Sequence, residues 1–454
     1  MALCRLSPIP KSRQKPHHQF PTRARMTKRR SLAEWLDYQQ QIHPAEIDLG
    51  LERLRQVWSR LHPRQFKPLI ISVAGTNGKG SSVAFLDAIL RAASWRVGCY
   101  TSPHLLRYNE RILINGDEAA DDDLCAAFER IEACRGETLL TYFEFGTLAA
   151  LDLFSRRQLD VVILEVGLGG RLDAVNLLDA DVALVTSVGI DHVAWLGDDR
   201  DAIGAEKAGI LRAGSPAVYA EPDMPAGFLR AAEVVGARLY HLGADYSYTE
   251  AEGAWSWLSG EVCHDALPLP LLRGRYQLQN AAGVLMTLHL LRQQLPVSRE
   301  AMRQGLLDAK LPGRFQVIDG DPLIILDVAH NREAAAALAT TLETLRYPGK
   351  LRALFSIYAD KPLHDVVAAL DHAVDAWHLY PLDDPRGVGS EALYKGVRTA
   401  AHAEVAMHAS LQDAWRAARQ ASDAGDVILI FGSFQVVGEA LALLHDNSHL
   451  ATSQ

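Results

Sequence analysis

The fold class follows from the segment Leu69-Ile70-Ile71-Ser72-Val73-Ala74-Gly75-Thr76-Asn77-Gly78-Lys79-Gly80-Ser81-Ser82. Its apolar run Leu69–Val73 predicts a buried strand, and the helical pattern of Val83–Ala93 follows the glycine-rich turn. This order is typical of a phosphate-binding loop whose backbone N–H groups close around phosphate oxygens. Lys79 adds a point charge, and the Ser81 hydroxyl can bind Mg²⁺. Gly80 departs from the common P-loop spacing, and a glycine-rich turn without a ligand is the alternative.

Strand and helix patterns alternate after this segment. Strands are predicted at Val97–Tyr100, Val161–Val166 and Val182–Ser187, and helices near Leu124–Ala133 and Gly146–Phe154. Strands that alternate with helices usually pair in parallel. We therefore predict a parallel sheet with helices on both faces.

A second α/β unit is predicted after Leu311-Pro312-Gly313-Arg314, where Pro and Gly interrupt the helical pattern. The chain is thus predicted to be an α/β protein with a P-loop ATPase domain over residues 31–310. A smaller C-terminal Rossmann-like α/β domain would span 311–446, followed by a tail at 447–454. Its predicted strands are Leu323–Leu326, Leu351–Ile357, Ala376–Tyr380 and Val427–Phe431.

The composition argues against several classes of function. The 454 residues carry a net charge of -9, which disfavours nucleic acid or a membrane surface as the main partner. No window approaches the roughly 20 apolar residues of a membrane span. Five cysteines without a Cys-x-x-Cys pair fit the reduced thiols of a cytoplasmic enzyme.

Residues 1–30 are rich in Arg, Lys and His and contain no Asp or Glu. We predict a disordered or non-native N-terminal extension, for which Met26 is an alternative start. A leader of this composition also resembles an organellar transit peptide, and that alternative stays open.

Three polar residues lie at or just beyond the ends of predicted parallel strands, where the crevice of an α/β sheet opens. They are Ser102, Glu165 and His192. Oxygen and imidazole groups can bind Mg²⁺ when water or phosphate oxygens complete the octahedral coordination of the ion. Two alternatives stay open: Glu165 can pair with Arg171, and His192 alone can be a hydrogen-bonded loop histidine.

The glycine-rich loop is one of a series of segments that run in order through the chain. The others are Ile47–Arg53, Thr101–Leu105, Thr141–Glu144, Glu165–Ala174, Asp191–His192, Glu206–Ile210, Pro312–Arg314, Asp327–Asn331 and Gly432–Phe434. Over residues 31–445 the series resembles the folylpolyglutamate synthase and dihydrofolate synthase family, within the Mur ligase superfamily. Val328 stands where that family often has Gly, and it resembles the variant in bifunctional bacterial members.

The resemblance implies two Mg²⁺ ions beside ATP. Ser81 and Glu165 would hold the first ion, and Ser102, Glu165 and His192 would hold or support the second. It also implies that Lys207 reacts with CO₂ to form a carbamate. A cationic amine about 5 Å from a metal would be repelled by several kcal/mol at an effective dielectric near 20, whereas a carbamate is attracted.

The resemblance also places residues on both sides of the predicted cleft. Asn280 resembles the family's adenine contact. Arg314 is expected to reach the γ-phosphate from the hinge, and Asp327 to accept the ribose or orient the closing face. His330 and Ser433, at the carboxyl ends of predicted strands, are expected to position the incoming glutamate. The predicted catalytic set is Lys79, Lys207, Arg314 and His330.

Three segments resemble the family's pterin contacts: Ile47-Asp48-Leu49, Thr141-Tyr142-Phe143-Glu144 and Leu172-Asp173-Ala174. Tyr142-Phe143-Glu144 is predicted in a loop before a helix, where an exposed aromatic ring can stack on a flat pterin. Phe143 can instead be a buried anchor at the helix start. Asp48 can equally cap the helix that follows it.

The activity that the resemblance implies is that of a monomeric, ATP-dependent acid–amino-acid ligase. ATP would phosphorylate the substrate carboxylate, and the amine of L-glutamate would attack the acyl phosphate. The expected acceptors are dihydropteroate and tetrahydrofolate, served by one bifunctional enzyme. Alternatives are a folylpolyglutamate synthase alone, a Mur-type ligase for a nucleotide-linked muropeptide, and a P-loop NTPase that acts as a switch without ligation.

Overall fold

The computed structural model describes residues 30–61, 66–345 and 347–451. The predicted N-terminal extension therefore lies outside the described residues except for Arg30, and the predicted tail is described only as far as Ala451. Within the described residues, no helix is both long enough and apolar enough to cross a membrane.

An eight-stranded sheet organises the first part of the described chain. Its strands are β1 (Leu69–Ala74), β2 (Val97–Tyr100), β3 (Ile112–Ile114), β4 (Asp117–Glu118), β5 (Val161–Glu165), β6 (Val182–Val185), β7 (Pro216–Tyr219) and β8 (Arg238–His241). Their order across the sheet is β4-β3-β2-β5-β1-β6-β7-β8, and the six strands from β2 to β8 in this order pair in parallel. β1 is central because it is apolar and buried on both faces.

One edge of this sheet is antiparallel, a feature absent from the sequence prediction. β3 pairs antiparallel with both β2 and β4. Asn115 and Gly116, at φ values of 55° and 87°, form the turn between β3 and β4. Asn-Gly is the favoured pair for a two-residue hairpin turn, because both positions need positive φ.

Helices cover both faces of the sheet. They are α1 (Leu32–Ile42), α2 (Glu52–Leu61), α3 (Lys79–Ala92), α4 (Asp121–Arg135), α5 (Tyr142–Arg156), α6 (Val193–Leu196), α7 (Arg200–Lys207), α8 (Ala226–Val235), α9 (Arg275–Leu290) and α10 (Arg299–Asp308). One hydrophobic core lies between the sheet and α1, α2, α4 and α5, and the other between the sheet and α3, α9 and α10. Two layers of helices thus hold the sheet rigid on either side.

A small antiparallel sheet packs against α9. Its strands are β9 (Ser247–Ala251), β10 (Ala254–Ser259) and β11 (Val262–Pro268). Trp255 and Trp257 are two residues apart on β10, so they share one face of the strand, and both are fully buried. The Trp257 indole N–H donates to the carbonyl oxygen of Ala282 in α9 at 3.1 Å. This contact anchors the helix that carries Gln277 and Asn280 to the candidate site.

The second large sheet has six strands and begins after α10. They are β12 (Gln316–Ile318), β13 (Leu323–Asp327), β14 (Leu351–Phe355), β15 (Ala376–Leu379), β16 (Glu404–Met407) and β17 (Val427–Phe431). In the order β12-β13-β17-β14-β15-β16, every pair is parallel except β12 with β13. The proposed domain boundary at 310/311 falls between α10 and β12. The accompanying helices are α11 (Arg332–Thr344), α12 (Leu363–Leu370), α13 (Ser390–Ala400), α14 (Leu411–Ala421) and α15 (Phe434–Ala451).

Trp257→Ala is expected to lower the free energy of unfolding by about 3–5 kcal/mol, because it leaves a cavity against α9. Chemical denaturation followed by circular dichroism measures this loss. The matched control is Leu258→Ala on the same strand, whose side chain is 45% exposed and whose removal should change stability by no more than about 0.5 kcal/mol. Equal losses in the two variants would contradict the packing of β10 on α9.

Candidate active site

The predicted phosphate-binding loop is a tight turn at the carboxyl edge of the first sheet. β1 ends at Ala74 and α3 begins at Lys79, so the helix starts directly after the turn and not at Val83. A Cβ on Gly75 would lie 1.9 Å from Thr186 Oγ1, and Gly75 has a φ of 151°. Only glycine fits there. The turn therefore directs the N-terminal N–H groups of α3 into the cleft.

Lys79 and Ser81 lie in the first turn of α3. The Lys79 amine donates to the carbonyl oxygen of Gly75 at 2.9 Å, so it folds back over the loop. Desolvation lowers the pKa of Lys79, although Glu165 acts to raise it. The Ser81 hydroxyl accepts a hydrogen bond from Gln277 Nε2 at 3.1 Å. Helix α9 thereby fixes the side chain predicted to bind Mg²⁺.

Glu165 ends β5 beside this loop and is 5% exposed. Its Oε2 accepts the Ser102 backbone N–H at 3.2 Å and lies 4.0 Å from the Cβ position of Gly80. Burial raises the pKa of the carboxyl group. Arg171 pairs with Glu206 at 3.1 Å, so the alternative that joined Glu165 to Arg171 is wrong.

The predicted metal ligands do not form a complete metal site by themselves. His192 faces the same cavity as Lys79, and burial lowers the pKa of its ring to about 4. In the part of the chain that the structure describes, no three His, Cys, Asp or Glu side chains are grouped to hold an ion. Mg²⁺ commonly binds one or two carboxylates and completes its shell with phosphate and water. Glu165, with the hydroxyl groups of Ser81 and Ser102, fits that pattern once a nucleotide is bound.

Lys207 is buried beside the phosphate-binding loop. It ends α7, is 4% exposed and lines the same cavity as Lys79. A Cβ on Gly170 would lie 3.0 Å from the Lys207 Cα and 2.7 Å from the carbonyl oxygen of Glu206, which explains the glycine at this contact. Burial and the charge of Lys79 lower the pKa of Lys207 to about 7. Its neutral amine is therefore well populated near neutral pH.

A polar network joins the two large sheets across the cleft. Asp191 accepts hydrogen bonds from Lys361 Nζ at 2.6 Å and from Asn331 Nδ2 at 3.3 Å. His330 Nε2 lies 3.4 Å from the same carboxylate. Burial acts to raise the pKa of Asp191, but His330 and Lys361 hold it well below its usual range. Asn331 also exchanges side-chain hydrogen bonds of 3.1 and 3.2 Å with Asn77, so the network reaches the phosphate-binding loop.

Arg314 and Asp327 lie at the hinge between the sheets. One guanidinium nitrogen of Arg314 is 4.0 Å from the Cβ position of Gly80, and the guanidinium carbon is 4.9 Å from the centroid of the Phe434 ring. The arginine thus reaches the phosphate-binding loop. Asp327 accepts the backbone N–H of Phe315 at 2.8 Å, so its carboxylate holds the turn before β12. Its contact with a ribose stays a prediction.

The other residues that were predicted to bind the nucleotide or the incoming glutamate also form hydrogen bonds or close polar contacts within the protein. Asn280 donates to Gln277 Oε1 at 3.0 Å. His330 Nδ1 lies 2.7 Å from the carbonyl oxygen of Val328. The Ser433 hydroxyl accepts the backbone N–H of Val436 at 3.1 Å. These bonds orient the side chains, and their roles in binding stay predictions.

Tyr142, Phe143 and Glu144 form the first turn of α5, so the predicted loop is wrong. Thr141 Oγ1 accepts the Glu144 N–H at 3.3 Å, and the Glu144 carboxylate accepts the Thr141 N–H at 2.8 Å. This capping box starts the helix earlier than the apolar pattern indicates. Phe143 is half-buried, with its ring centroid 5.9 Å from that of Tyr100.

Arg53 connects two of the predicted pterin segments. Its guanidinium pairs with Asp48 at 2.7 Å and with Glu144 at 2.9 Å, so Asp48 binds an arginine and does not cap α2. In the third segment, the Asp173 carboxylate accepts the Leu168 N–H at 2.8 Å. Burial raises the pKa of Asp173 to about 6. The carboxylates of these segments are therefore engaged within the protein.

Comparison with known proteins agrees with this geometry. Residues 313–434 match the family model described as Mur ligase, glutamate ligase domain. The dihydrofolate synthase/folylpolyglutamate synthase of Escherichia coli is 43% identical over 413 residues, which cover 91% of this chain and 95% of that protein. The chain belongs to the dihydrofolate synthase/folylpolyglutamate synthase family.

Solved structures of this family have the same fold. Escherichia coli FolC in complex with DHPP and ADP superposes with a TM-score of 0.88 at 42% identity, covering 92% of this chain and 99% of that one. A bifunctional folylpolyglutamate synthase/dihydrofolate synthase with Mn, AMPPNP and L-glutamate bound has a TM-score of 0.85 at 47% identity, covering 92% and 98%. The family consists of ATP-dependent ligases of the Mur ligase type.

Two residues of the site were not among the sequence predictions. Lys361 follows the carboxyl end of β14, where a charged residue of an α/β sheet often faces a ligand crevice. Gln277 lies one helical turn before Asn280 on α9, a spacing that places both on the same face. The sequence signal for Lys361 was its position after a predicted strand. The signal for Gln277 was its position on the same helix face as Asn280.

The stability of the protein should depend on pH through Lys207. The folded-state pKa is about 7 and the reference value is 10.5, so between these values the unfolded chain binds a proton that the folded protein does not. Stability therefore rises with pH in this window, by up to about 1.4 kcal/mol per pH unit. In CO₂-free buffer, wild-type protein should gain about 2 kcal/mol relative to Lys207→Met between about pH 7.5 and pH 9.5.

Denaturation at several pH values measures this difference. Lys395→Met, which changes an exposed lysine on α13, is the control and should follow the wild type. If Lys207→Met also follows the wild type, the Lys207 amine does not have a lowered pKa.

Proposed function

We propose that this chain uses ATP to join L-glutamate to dihydropteroate and to extend reduced folates such as tetrahydrofolate. The supporting observation is that Lys79, Glu165 and Arg314 converge on one phosphate-binding loop, beside a part of the chain that matches glutamate ligases. Two relatives add to it, one with DHPP and ADP bound and the other with Mn, AMPPNP and L-glutamate.

The reaction has two steps. An oxygen of the acceptor carboxylate forms a bond to the γ-phosphorus of ATP as the bond to the β-γ bridging oxygen breaks, and ADP leaves. The neutral amine of glutamate then attacks the acyl carbon, phosphate departs with the carbon–oxygen bonding pair, and the nitrogen loses a proton. Lys79 and Arg314 stabilise the charge of the moving phosphoryl group, and the cleft keeps water from the acyl phosphate.

A divalent cation, Mg²⁺ in our proposal, would neutralise phosphate charge when bound. Ser81 and Glu165 would hold one ion, and Ser102, Glu165 and His192 would hold or support a second. Ser102 and Glu165 are already adjacent through the hydrogen bond from the Ser102 N–H. His192 has a lowered pKa, so its ring is neutral and keeps the lone pair that a metal ligand needs.

Lys207 is proposed to carry a carbamate. Only a neutral amine attacks CO₂, and the lowered pKa of Lys207 supplies that form near neutral pH. Modification would turn this buried amine into an anion that attracts the charge of Lys79 and releases one proton. The location of the enzyme in the cytoplasm and its monomeric state stay predictions.

The rival functions differ in what they require for ATP turnover. A switch-type NTPase would hydrolyse ATP without glutamate, a Mur-type ligase would need a nucleotide-linked peptide, and a folylpolyglutamate synthase would ignore dihydropteroate. Incubation with ATP, labelled glutamate and each acceptor separately distinguishes them. We expect label in both products and little ATP consumption when acceptor or glutamate is omitted.

Lys79→Met and Glu165→Gln, which keep side-chain size, should each lower turnover at least about 10²-fold while the protein stays folded, because charge stabilisation is lost. Lys395→Met is again the control. Turnover near the wild-type value in either site variant would exclude this nucleotide site.

Phe143→Ala tests whether the two acceptors bind their rings in different places. Loss of a stacking ring should lower kcat/KM for dihydropteroate roughly 5- to 150-fold, equivalent to about 1–3 kcal/mol. The effect on tetrahydrofolate should be smaller. Phe143→Leu keeps apolar bulk without the ring and controls for packing against Tyr100. Equal losses for both acceptors would refute separate ring sites.

A further inference from the structure

Arg111 is a nearly buried arginine without an acidic partner in the described part of the chain. It is 8% exposed, and its Nε donates to His104 Nδ1 at 2.8 Å. Its guanidinium carbon lies 5.4 Å from the ring centroid of Tyr108 and 5.6 Å from that of Tyr142. A neutral imidazole and two phenol rings do not balance a guanidinium charge. Burial of this guanidinium therefore carries an electrostatic cost.

The neighbouring carboxylates are committed to backbone groups. Glu110 accepts the N–H groups of Leu105 and Leu106, both at 2.7 Å, and Glu165 accepts that of Ser102. Burial raises the pKa of Glu165, and Arg111 is among the positive charges that oppose this rise. The Arg111 charge thus acts on Glu165 while its guanidinium contacts the aromatic rings.

Arg111 contacts the Tyr142 ring, and its charge acts on Glu165, so it is related to both ends of the site that an acceptor must span. Tyr142 and Phe143 lie at the proposed ring end, and Glu165 lies beside the phosphate-binding loop, where the carboxylate must react. A guanidinium presents N–H donors in a planar fork that matches a carboxylate. The Arg111 Nε donates its hydrogen bond to His104. The two terminal nitrogens of Arg111 have no hydrogen-bond partner within the described residues.

We propose that Arg111 binds the carboxylate of the acceptor acid and holds it for transfer of the phosphoryl group. The inference rests on the proposed function, because the ligand is the acceptor of that reaction. Arg111 is then a specificity residue: it selects acids over uncharged analogues of the same shape. The stability lost through the unpaired charge is recovered when the acid binds.

A double-mutant cycle between protein and ligand tests this proposal. Calorimetry in the presence of ADP compares dihydropteroate with its carboxamide, which keeps the shape and lacks the charge. Wild-type protein should bind the acid about 10- to 100-fold more tightly than the carboxamide. In Arg111→Met this ratio should fall below about 3-fold, and weaker binding of the acid should account for the change.

Arg107→Met is the matched control, because Arg107 lies in the same turn with a 63% exposed side chain. It should leave both affinities unchanged. Arg111→Met should unfold at the wild-type temperature or above, since it removes an unpaired charge. A lower unfolding temperature with equal weakening of both ligands would show that Arg111 only supports the fold.

The binding data separate the choice of acceptor from the role of Arg111. If wild-type protein binds neither ligand, the acceptor assigned under the proposed function is wrong. If wild-type protein binds acid and carboxamide equally, or if Arg111→Met keeps the preference for the acid, the role of Arg111 is overturned while the ligase assignment stands.

Discussion

The balance of desolvated charge in the cleft is the constraint on which the rest of the site depends. Desolvation lowers the pKa of Lys79, Lys207 and Arg314, and it raises that of Glu165 and Asp327. The carboxylates are also held by backbone N–H groups, so they cannot turn freely toward the cations. A polyphosphate entering the cleft supplies the missing negative charge and stabilises the Lys79 and Arg314 cations together.

The Asp191 network couples this charge balance to the arrangement of the two sheets. Lys361, His330 and Asn331 come from the second sheet, while Asp191 and Asn77 come from the first. Both sheets present carboxyl edges to the cleft, as parallel α/β sheets do at their binding crevices. A ligand that enters here must share space with this network. Nucleotide binding and the relative position of the sheets are therefore linked, as expected for an enzyme that excludes water during acyl transfer.

Local pattern was enough to predict the strands beside the phosphate-binding loop, whereas α3 begins at Lys79, before the predicted start at Val83. β2 matches its predicted bounds and β1 extends one residue beyond its predicted apolar run, because both are buried, uninterrupted apolar strands. Tyr142–Glu144 was misassigned, since a capping box extends α5 beyond its apolar stretch. Lys361 was missed because its partner Asp191 is 170 residues away in sequence. Long-range contacts of this kind need the fold, or a resemblance, before they can be predicted.

In the proposed reaction, ATP activates the acceptor carboxylate by transferring a phosphoryl group to it. Dihydropteroate labelled with ¹⁸O in its carboxylate tests this directly, because one carboxylate oxygen must leave with the phosphate. Mass spectrometry of the inorganic phosphate from a reaction with ATP and L-glutamate should show one ¹⁸O atom transferred for each amide bond formed. Phosphate without ¹⁸O, at a yield matching the amide product, would contradict the account.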